Sequence, residues 1–317
     1  MTDIAPRYGA HLGHRNITLL DGGMGQELRK RSQLAPTQIW SAQTLMDEID
    51  LVVDVHADFL RAGAEILTLN SYAVTRPRLA RVGQGDAFDR LQERAGWAAR
   101  QAVMTTGHTA RIAGCLPPLV ASYHSEVALD FDTSLAQYEE IVAAQTVYAD
   151  LFIAETMANS REAIAACQAA ASTGKPVWVG FTVKDDDGTQ LRSGERLGDA
   201  ARAVLNAGAD AVLINCSSPE AVGAGIANLA GLGVPVGGYA NGFANTLSLK
   251  PGGTVDVLEA RQDLDPDAYA AFAADWIAAG AEIIGGCCEV GPTHIARLRE
   301  LIASVVKPEG ETDLETM

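Results

Sequence analysis

The 317-residue chain lacks several features that mark particular classes of protein. It has no apolar run of about 18 residues, so we predict no membrane-spanning helix. Residues 1–16 are polar and contain no apolar stretch typical of a secretory signal, so we expect a cytoplasmic protein. Positive charge is scarce, because 24 Lys and Arg stand against 40 Asp and Glu, and the formal net charge is −16. An acidic surface repels nucleic acid and anionic membranes, so we expect neither as a partner.

Cysteine is also rare, and its number is odd. The five cysteines are Cys115, Cys167, Cys216, Cys287 and Cys288. An odd count without an export signal indicates reduced thiols rather than disulfides. A chain of this length buries about three quarters of its unfolded surface, so its core needs no covalent staples.

One local pattern occurs three times along the chain. Each copy begins with a helix end that carries a glycine (Gly63, Gly208 or Gly280), continues as a short apolar run and ends in a polar or thiol residue. The second and third glycines are 72 residues apart and the first and second are 145 apart, both close to multiples of 36. A strand, a helix and two loops take about that length. The copies are therefore interpreted as units two, six and eight of one series.

Eight short apolar segments fit this series as strands. They are residues 17–21, 65–70, 111–115, 151–155, 176–182, 210–215, 234–239 and 281–284. Helical patterns lie between them; one is predicted to be capped by Asp132 or Thr133, and the last to start near Pro292. The alternation predicts a single-domain (β/α)₈ barrel over residues 1–306, followed by an acidic, flexible tail over 307–317. The alternative, an open doubly wound sheet, is disfavoured because no Gly-x-Gly-x-x-Gly follows the first strand.

In such a barrel the active site lies at the carboxyl ends of the strands. Those ends carry a set of acids, amides, hydroxyls and thiols: Asp21, Asn70, Cys115, Glu155, Thr182, Cys216, Tyr239, Asn241, Cys287 and Cys288. The two longest irregular stretches, 116–130 and 241–253, also follow strand ends, so we expect them to form active-site loops. No histidine belongs to the set.

Three of the five cysteines, Cys216, Cys287 and Cys288, follow strands six and eight. Only one strand separates these two in the predicted barrel, so their ends can converge. Thiolates favour zinc or iron–sulfur centres, and three thiolates with one open position are typical of a catalytic zinc site. Spacing alone leaves two alternatives: ordinary buried cysteines, or redox-active thiols such as a strained Cys287–Cys288 disulfide. We expect Cys115 and Cys167 to lie in the core.

An open three-cysteine zinc site favours thiol chemistry. Zinc deprotonates a thiol that enters its open position, and thiolate is the nucleophilic form of sulfur. That thiolate can attack an activated methyl group held in line with it. Water in the same position would make the protein a zinc hydrolase, but three thiolates weaken zinc as a Lewis acid and no histidine base is at hand.

The sequence resembles the homocysteine S-methyltransferase family, which includes betaine–homocysteine methyltransferase, S-methylmethionine-dependent enzymes and the homocysteine module of cobalamin-dependent methionine synthase. The resemblance covers roughly residues 17–304. It is carried by Asp21-Gly-Gly-Met-Gly-Gln-Glu-Leu, Asn215-Cys216 and Gly285-Gly-Cys-Cys288. It implies a (β/α)₈ barrel, Zn²⁺ held by the three matching cysteines, and methyl transfer to homocysteine that gives methionine.

Roles on the acceptor side carry over position by position. The resemblance implies that Asp21 and Gly22 contact homocysteine and that Glu155 receives its amino group, which fits a charge-assisted hydrogen bond. Thr68 matches a hydroxyl position on strand two, and Asn70 lies beside it. We expect two further strand-end residues, Tyr239 and Asn241, to line the pocket.

The methyl donor implied by the resemblance is an onium compound: S-methylmethionine, S-adenosylmethionine or a betaine. Trp40 and Tyr72 fall where betaine-using relatives place aromatic donor contacts, and cationic methyl groups suit aromatic faces. Thr156 stands where the betaine enzyme has tyrosine, which argues against a full betaine cage. A non-catalytic protein that binds zinc or homocysteine is the remaining alternative, and the sequence leaves the oligomeric state open, a homo-oligomer included.

Overall fold

A computed structural model of the chain describes residues 16–305 except 36, 247, 252 and 254–256, and it leaves the side chain of Trp40 undescribed. The predicted tail, 307–317, and the domain limit at 306 lie outside the described residues. Within them, no helix combines the length and apolar character that a bilayer span requires.

Eight parallel strands form one sheet. They are β1 (Thr18–Leu19), β2 (Ile66–Thr68), β3 (Arg111–Leu116), β4 (Leu151–Met157), β5 (Val177–Phe181), β6 (Ala211–Asn215), β7 (Val236–Tyr239) and β8 (Ile283–Ile284). Each strand from β2 to β8 pairs with its neighbour in the chain, and β8 also pairs with β1. A bridge between Leu20 and Ile66 closes the sheet between β1 and β2. The eight predicted strands and the (β/α)₈ barrel are confirmed.

Helices alternate with the strands along the chain. They are α1 (Met24–Arg31), α2 (Trp40–Asp47), α3 (Ile49–Arg61), α4 (Arg76–Arg81), α5 (Phe88–Thr106), α6 (Phe131–Gln145), α7 (Ser160–Ala171), α8 (Leu197–Asn206), α9 (Pro219–Asn228), α10 (Pro266–Ala278) and α11 (Pro292–Val305), with 3₁₀ turns at Gly85–Ala87 and Ser125–Val127. The last helix begins at Pro292, as predicted.

The strands are buried on both faces, which explains why their sequences are almost continuously apolar. Along β6, Leu213 packs in a cluster inside the barrel, whereas Val212 and Ile214 pack in the larger cluster shared with the helices. Leu151 and Ile153 of β4 also belong to the interior cluster. Because side chains alternate between the faces of a strand, the residues that follow in register point to the barrel mouth.

Helix ends follow the local chemistry of the sequence, with one correction. Gly63, Gly208 and Gly280 have φ values of 102°, 108° and 115°, so the three predicted glycine helix ends are confirmed. The predicted cap of α6 at Asp132 or Thr133 is wrong, because the capping residue is Asp130. Asp130 has extended backbone just before the helix, and its carboxylate accepts from the Thr133 backbone N–H at 3.0 Å.

The end of β4 is irregular, and its irregularity is held by one buried amide. Thr156 has a positive φ of 61°, and the pairing of β4 with β5 shifts register between Ala154 and Met157. The Asn215 side chain accepts from the Thr156 backbone N–H at 2.8 Å and donates to the Thr156 hydroxyl at 2.9 Å. Asn215 is fully buried, so this pair of hydrogen bonds fixes the strained turn without help from solvent.

Replacing this amide should destabilise the barrel. Asn215→Ala leaves the buried Thr156 N–H and hydroxyl without their partner, so we expect the free energy of unfolding to fall by about 2–3 kcal/mol. Urea unfolding followed by circular dichroism measures the change. Asn206→Ala, at the exposed end of α8, is the control and should stay within about 0.5 kcal/mol of the wild type. An equally small change for both variants would contradict a structural role for Asn215.

Candidate metal centre and substrate cavity

The three cysteines predicted to share a metal lie together. The sulfur atoms of Cys216, Cys287 and Cys288 are all within 4.8 Å of one another. In a tetrahedral zinc site with a zinc–sulfur distance of about 2.3 Å, neighbouring sulfur ligands lie about 3.8 Å apart. The spacing of the three thiols therefore suits a single ion. All five cysteines are free thiols, and Cys115 and Cys167 are fully buried, as expected of core residues.

Backbone hydrogen bonds bring these thiols together. The Cys216 N–H donates to the Tyr239 carbonyl at 3.1 Å, and the Cys287 N–H donates to the Ala240 carbonyl at 3.0 Å. The Cys288 carbonyl accepts from the Gly242 N–H at 2.8 Å. The segment between β7 and α10 thus begins by tying the thiol after β6 to the thiols after β8.

Close backbone approach is possible only because the neighbouring turn is rich in glycine. A Cβ on Gly23 would press against the Cys287 carbonyl oxygen, and a Cβ on Gly22 would collide with the Val290 carbonyl. Backbone packing therefore requires Gly22 and Gly23, whether or not they also contact a ligand.

The electrostatics of the three thiols favour a bound cation. Hydrogen bonds from the thiols of Cys287 and Cys288 hold the pKa of Cys216 well below its usual value. Hydrogen bonding to Cys216 raises the pKa values of Cys287 and Cys288. Cys216 is therefore easily ionised, and ionisation of Cys287 and Cys288 is disfavoured. A metal ion would allow all three to be thiolates together, so this donor set fits zinc.

One cavity at the carboxyl ends of the strands joins the thiols to the predicted substrate residues. The predicted residues that line it are Asp21, Gly22, Thr68, Asn70, Tyr72, Glu155, Cys216, Tyr239, Cys287 and Cys288. The first residues of α1, Met24, Gly25 and Gln26, line the same cavity. Among the described lining residues there is no lysine, arginine or histidine. The cavity therefore offers acids and thiols to a ligand but no positive charge.

The two carboxyl groups are held by different partners. Asp21 accepts from the Thr68 backbone N–H at 2.8 Å and from the Thr68 hydroxyl at 3.2 Å. Glu155 follows Leu151 and Ile153 in register and points to the barrel mouth, where it accepts from the Cys115 thiol at 2.9 Å. Cys115 is thus a core residue that also orients a predicted site residue.

Burial disfavours the ionised form of both carboxyl groups. Loss of water raises the pKa of Asp21 to about 8, partly offset by the Thr68 hydrogen bond and reinforced by the nearby Glu155. Loss of water likewise raises the pKa of Glu155 to about 7, with a further contribution from Cys216. An ammonium group in the cavity would supply the missing positive charge and return both to carboxylates.

Tyr123 belongs to the site but has no signature in the sequence. Its hydroxyl lies 3.0 Å from the Cys216 sulfur, and it lines the cavity together with Ser122. The Arg192 guanidinium carbon lies 5.4 Å from the centre of its ring. The loop 116–130, predicted to be an active-site loop, contributes Ser122 and Tyr123 to the cavity, but only the folded backbone, with a φ of 68° at Tyr123, shows which of its residues reaches the three thiols.

Three other residues singled out in the sequence occupy different positions. Thr156 is turned away from the cavity and bonded to Asn215. Asn241 is buried outside the cavity lining, where its side-chain oxygen accepts from the Phe243 N–H at 3.1 Å. Trp40 begins α2, and the adjacent Ser41 lines the cavity.

Comparison with known proteins identifies the family. The model of the family described as homocysteine S-methyltransferase matches residues 18–302. The chain belongs to this family. A homocysteine S-methyltransferase from Escherichia coli is 29% identical over 310 residues, which cover 92% of this chain and 96% of that protein. Homocysteine S-methyltransferase 4 from Zea mays is 26% identical and covers 90% of this chain and 89% of its own length.

A solved structure shares both the fold and the sequence pattern. The crystal structure of the homocysteine methyltransferase MmuM from Escherichia coli, in its metallated form, superposes with a TM-score of 0.75. It is 27% identical and covers 90% of this chain and 96% of that chain. The enzyme is thus a homocysteine S-methyltransferase with a cysteine triad suited to zinc, as predicted from the residues and the resemblance.

The raised pKa of Glu155 gives a pH-dependent stability that can be tested. Because its folded-state pKa is about 7 instead of 4.5, the carboxyl group disfavours the folded state increasingly as pH rises from about 4.5 to 7. Glu155→Gln should match the wild type near pH 4.5 and be more stable above pH 7, by about 1–3 kcal/mol. Urea unfolding in EDTA measures this difference without a metal contribution. The exposed Glu300→Gln is the control; a pH-independent difference for Glu155→Gln would contradict the prediction.

Proposed function

We propose that the enzyme holds Zn²⁺ on Cys216, Cys287 and Cys288 and transfers a methyl group from an onium donor to the sulfur of homocysteine, giving methionine. The observation that carries the proposal is the composition of one cavity, in which three clustered thiols lie beside the buried Asp21 and the half-buried Glu155, without a cationic side chain among the described lining residues. Such a cavity is built to receive cations. The proposed reaction brings three cationic groups to it: the metal, the ammonium group of homocysteine and the onium centre of the donor.

Asp21 and Glu155 form the proposed site for the homocysteine ammonium group. Both line the cavity, and both carry a raised pKa because burial deprives their carboxylates of water. Charge-assisted hydrogen bonds from an ammonium group would compensate for that loss. Thr68 and Cys115 keep the carboxyl groups in place through the hydrogen bonds described above.

The carboxylate of homocysteine has a complementary place on the same wall. The first residues of α1, Met24, Gly25 and Gln26, line the cavity directly after the Gly22-Gly23 turn. The amino-terminal end of a helix carries partial positive charge and attracts carboxylates. Gly22 permits this turn, because a Cβ there would collide with the Val290 carbonyl oxygen.

Zinc on three thiolates, when bound, would keep a thiol in its open position deprotonated at neutral pH. Residues of the chain would restrain the metal ligands and orient the substrate. Tyr123 donates toward the Cys216 sulfur and thereby restrains one ligand. The barrel walls hold homocysteine by its amino and carboxyl groups, so its sulfur faces the donor in one orientation. The five free thiols support a reducing, cytoplasmic location.

The donor side of the cavity is aromatic. Tyr72 lines it, and its hydroxyl is bound to the Ser122 hydroxyl at 2.7 Å, which fixes the ring. We place the cationic methyl groups of the donor against Tyr72, and the resemblance implies Trp40, the first residue of α2, as a second contact. Tyr239 also lines the cavity, and its buried hydroxyl has no hydrogen-bond partner among the described residues, so it is free to bind a substrate.

Removal of any one of the three cysteines should abolish stable metal binding. Cys216→Ser, Cys287→Ser and Cys288→Ser each leave two thiolates, so they should lose zinc on dialysis against a weak chelator, whereas the wild type keeps one ion per chain. Inductively coupled plasma mass spectrometry measures the zinc. Cys167→Ser is the matched control, because its sulfur lies in the core 3.6 Å from the Val204 carbonyl. Full zinc retention by any of the three site variants would refute its assignment as a ligand.

The reaction is tested by offering homocysteine with four donors: S-methylmethionine, S-adenosylmethionine, betaine and dimethylsulfoniopropionate. Each donor carries deuterated methyl groups, so that mass spectrometry distinguishes methionine made by transfer from any other source. We expect deuterated methionine from at least one donor with the wild type and none with Cys288→Ser. Failure of the zinc-loaded wild type with all four donors would overturn the proposed function.

A further inference from the structure

A second, smaller recess adjoins the donor side of the cavity and has the opposite charge. Its lining includes Arg78, Arg81 and Lys250 together with Ser122 and Gln38. No aspartate or glutamate is among its described lining residues. Because the chain has 40 acidic and only 24 basic residues, three cationic side chains lining one recess without a carboxylate are unexpected. We refer to these five residues as the basic recess.

Among the described residues, none of the three cations of the basic recess forms a salt bridge, although Glu162 lies near enough to Arg78 to interact with its charge. The Arg78 guanidinium donates to the Pro118 carbonyl at 2.9 Å, but its Nε is buried without a hydrogen-bond partner. Arg81 donates to the Val120 carbonyl at 2.9 Å. Carbonyl groups fix the position of a guanidinium group but leave its charge available to an anion.

The basic recess lies directly behind the aromatic wall of the donor side. Ser122 lines both the recess and the main cavity, and its hydroxyl is bound to Tyr72. The Arg78 guanidinium carbon lies 5.2 Å from the centre of the Tyr72 ring. Gln38 stands two residues before Trp40 in the chain. A molecule whose cationic end rests on Tyr72 therefore has positive charge within reach of its other end.

We propose that the basic recess binds the carboxylate of the methyl donor. The inference rests on the proposed function, because it takes the donor to be an onium compound, and it assigns a place to the carboxylate that all four candidate donors carry. The homocysteine carboxylate is assigned to a different place, the start of α1, so the two anionic groups do not compete. Arg78 supplies the main contact, since its planar group is held by a carbonyl and still has an unused donor.

Donor selectivity of an Arg78 variant tests the proposal. Each carboxylated donor that the wild type uses is paired with an analogue in which the carboxylate is removed or converted to an amide. Arg78→Met should raise the KM of the carboxylated donor by roughly 10- to 100-fold, because a charge-assisted pair is lost, and change the KM of the analogue and of homocysteine by less than about twofold. Arg78→Lys keeps the charge and should show a smaller rise.

Two further variants provide a second test and a control for the Arg78 result. Arg81→Gln changes an exposed residue and should show the same selectivity to a smaller degree, even if Arg78→Met folds poorly. Arg202→Gln removes a charge from an exposed side chain of α8 and should change neither KM. An equal rise for donor and analogue would mean that Arg78 only supports Tyr72, and would overturn the proposal. The proposal would also be overturned if the wild type used the carboxylated donor and its analogue equally well. If no donor gave methionine, the proposed function would fail, and this inference with it.

Discussion

The site depends on the backbone hydrogen bonds that hold the segment after β8 between its two neighbours in the barrel. The Cys287 N–H donates to the Ala240 carbonyl on one side, and the Gly286 N–H donates to the Asp21 carbonyl on the other, both at 3.0 Å. The same two bonds therefore position two of the three clustered thiols and one of the two carboxyl groups. A barrel that closed with a different register between β8 and β1 would separate the clustered thiols from the acid that we assign to the substrate.

A separation of charge organises the cavity around this segment. The wall formed by Asp21, Glu155 and the three thiols consists of groups that become anionic when a cation binds, so it suits a metal and an ammonium group. The donor side is aromatic, and beyond it lies the cationic recess of Arg78 and its neighbours. Two zwitterions, homocysteine and a carboxylated onium compound, would then lie with their charges matched to opposite ends of one site. In the proposed function, that matching of charges would orient the nucleophilic sulfur towards the methyl group.

The parts of this structure that follow a regular pattern could be predicted from the sequence. Strands buried on both faces show as apolar runs, glycine marks the helix ends, and polar residues at strand ends must meet at one rim; this was enough to bring Cys216 together with Cys287 and Cys288. What could not be predicted lies off the pattern. Tyr123 reaches the thiols through a left-handed turn in an irregular loop, and Asp130 caps α6 although two later residues are also good caps. Both depend on backbone geometry that no periodicity encodes.

The turn at the end of β4 shows how such a geometric detail shapes the site. Strand alternation alone directs Glu155 inward, but it says nothing of the residue that follows. The positive φ at Thr156, fixed by the Asn215 amide, turns that side chain away from the cavity. The Thr156 side chain therefore faces a buried partner instead of the cavity. The donor contacts that we propose lie on the other side of the cavity, with Tyr72 and the basic recess.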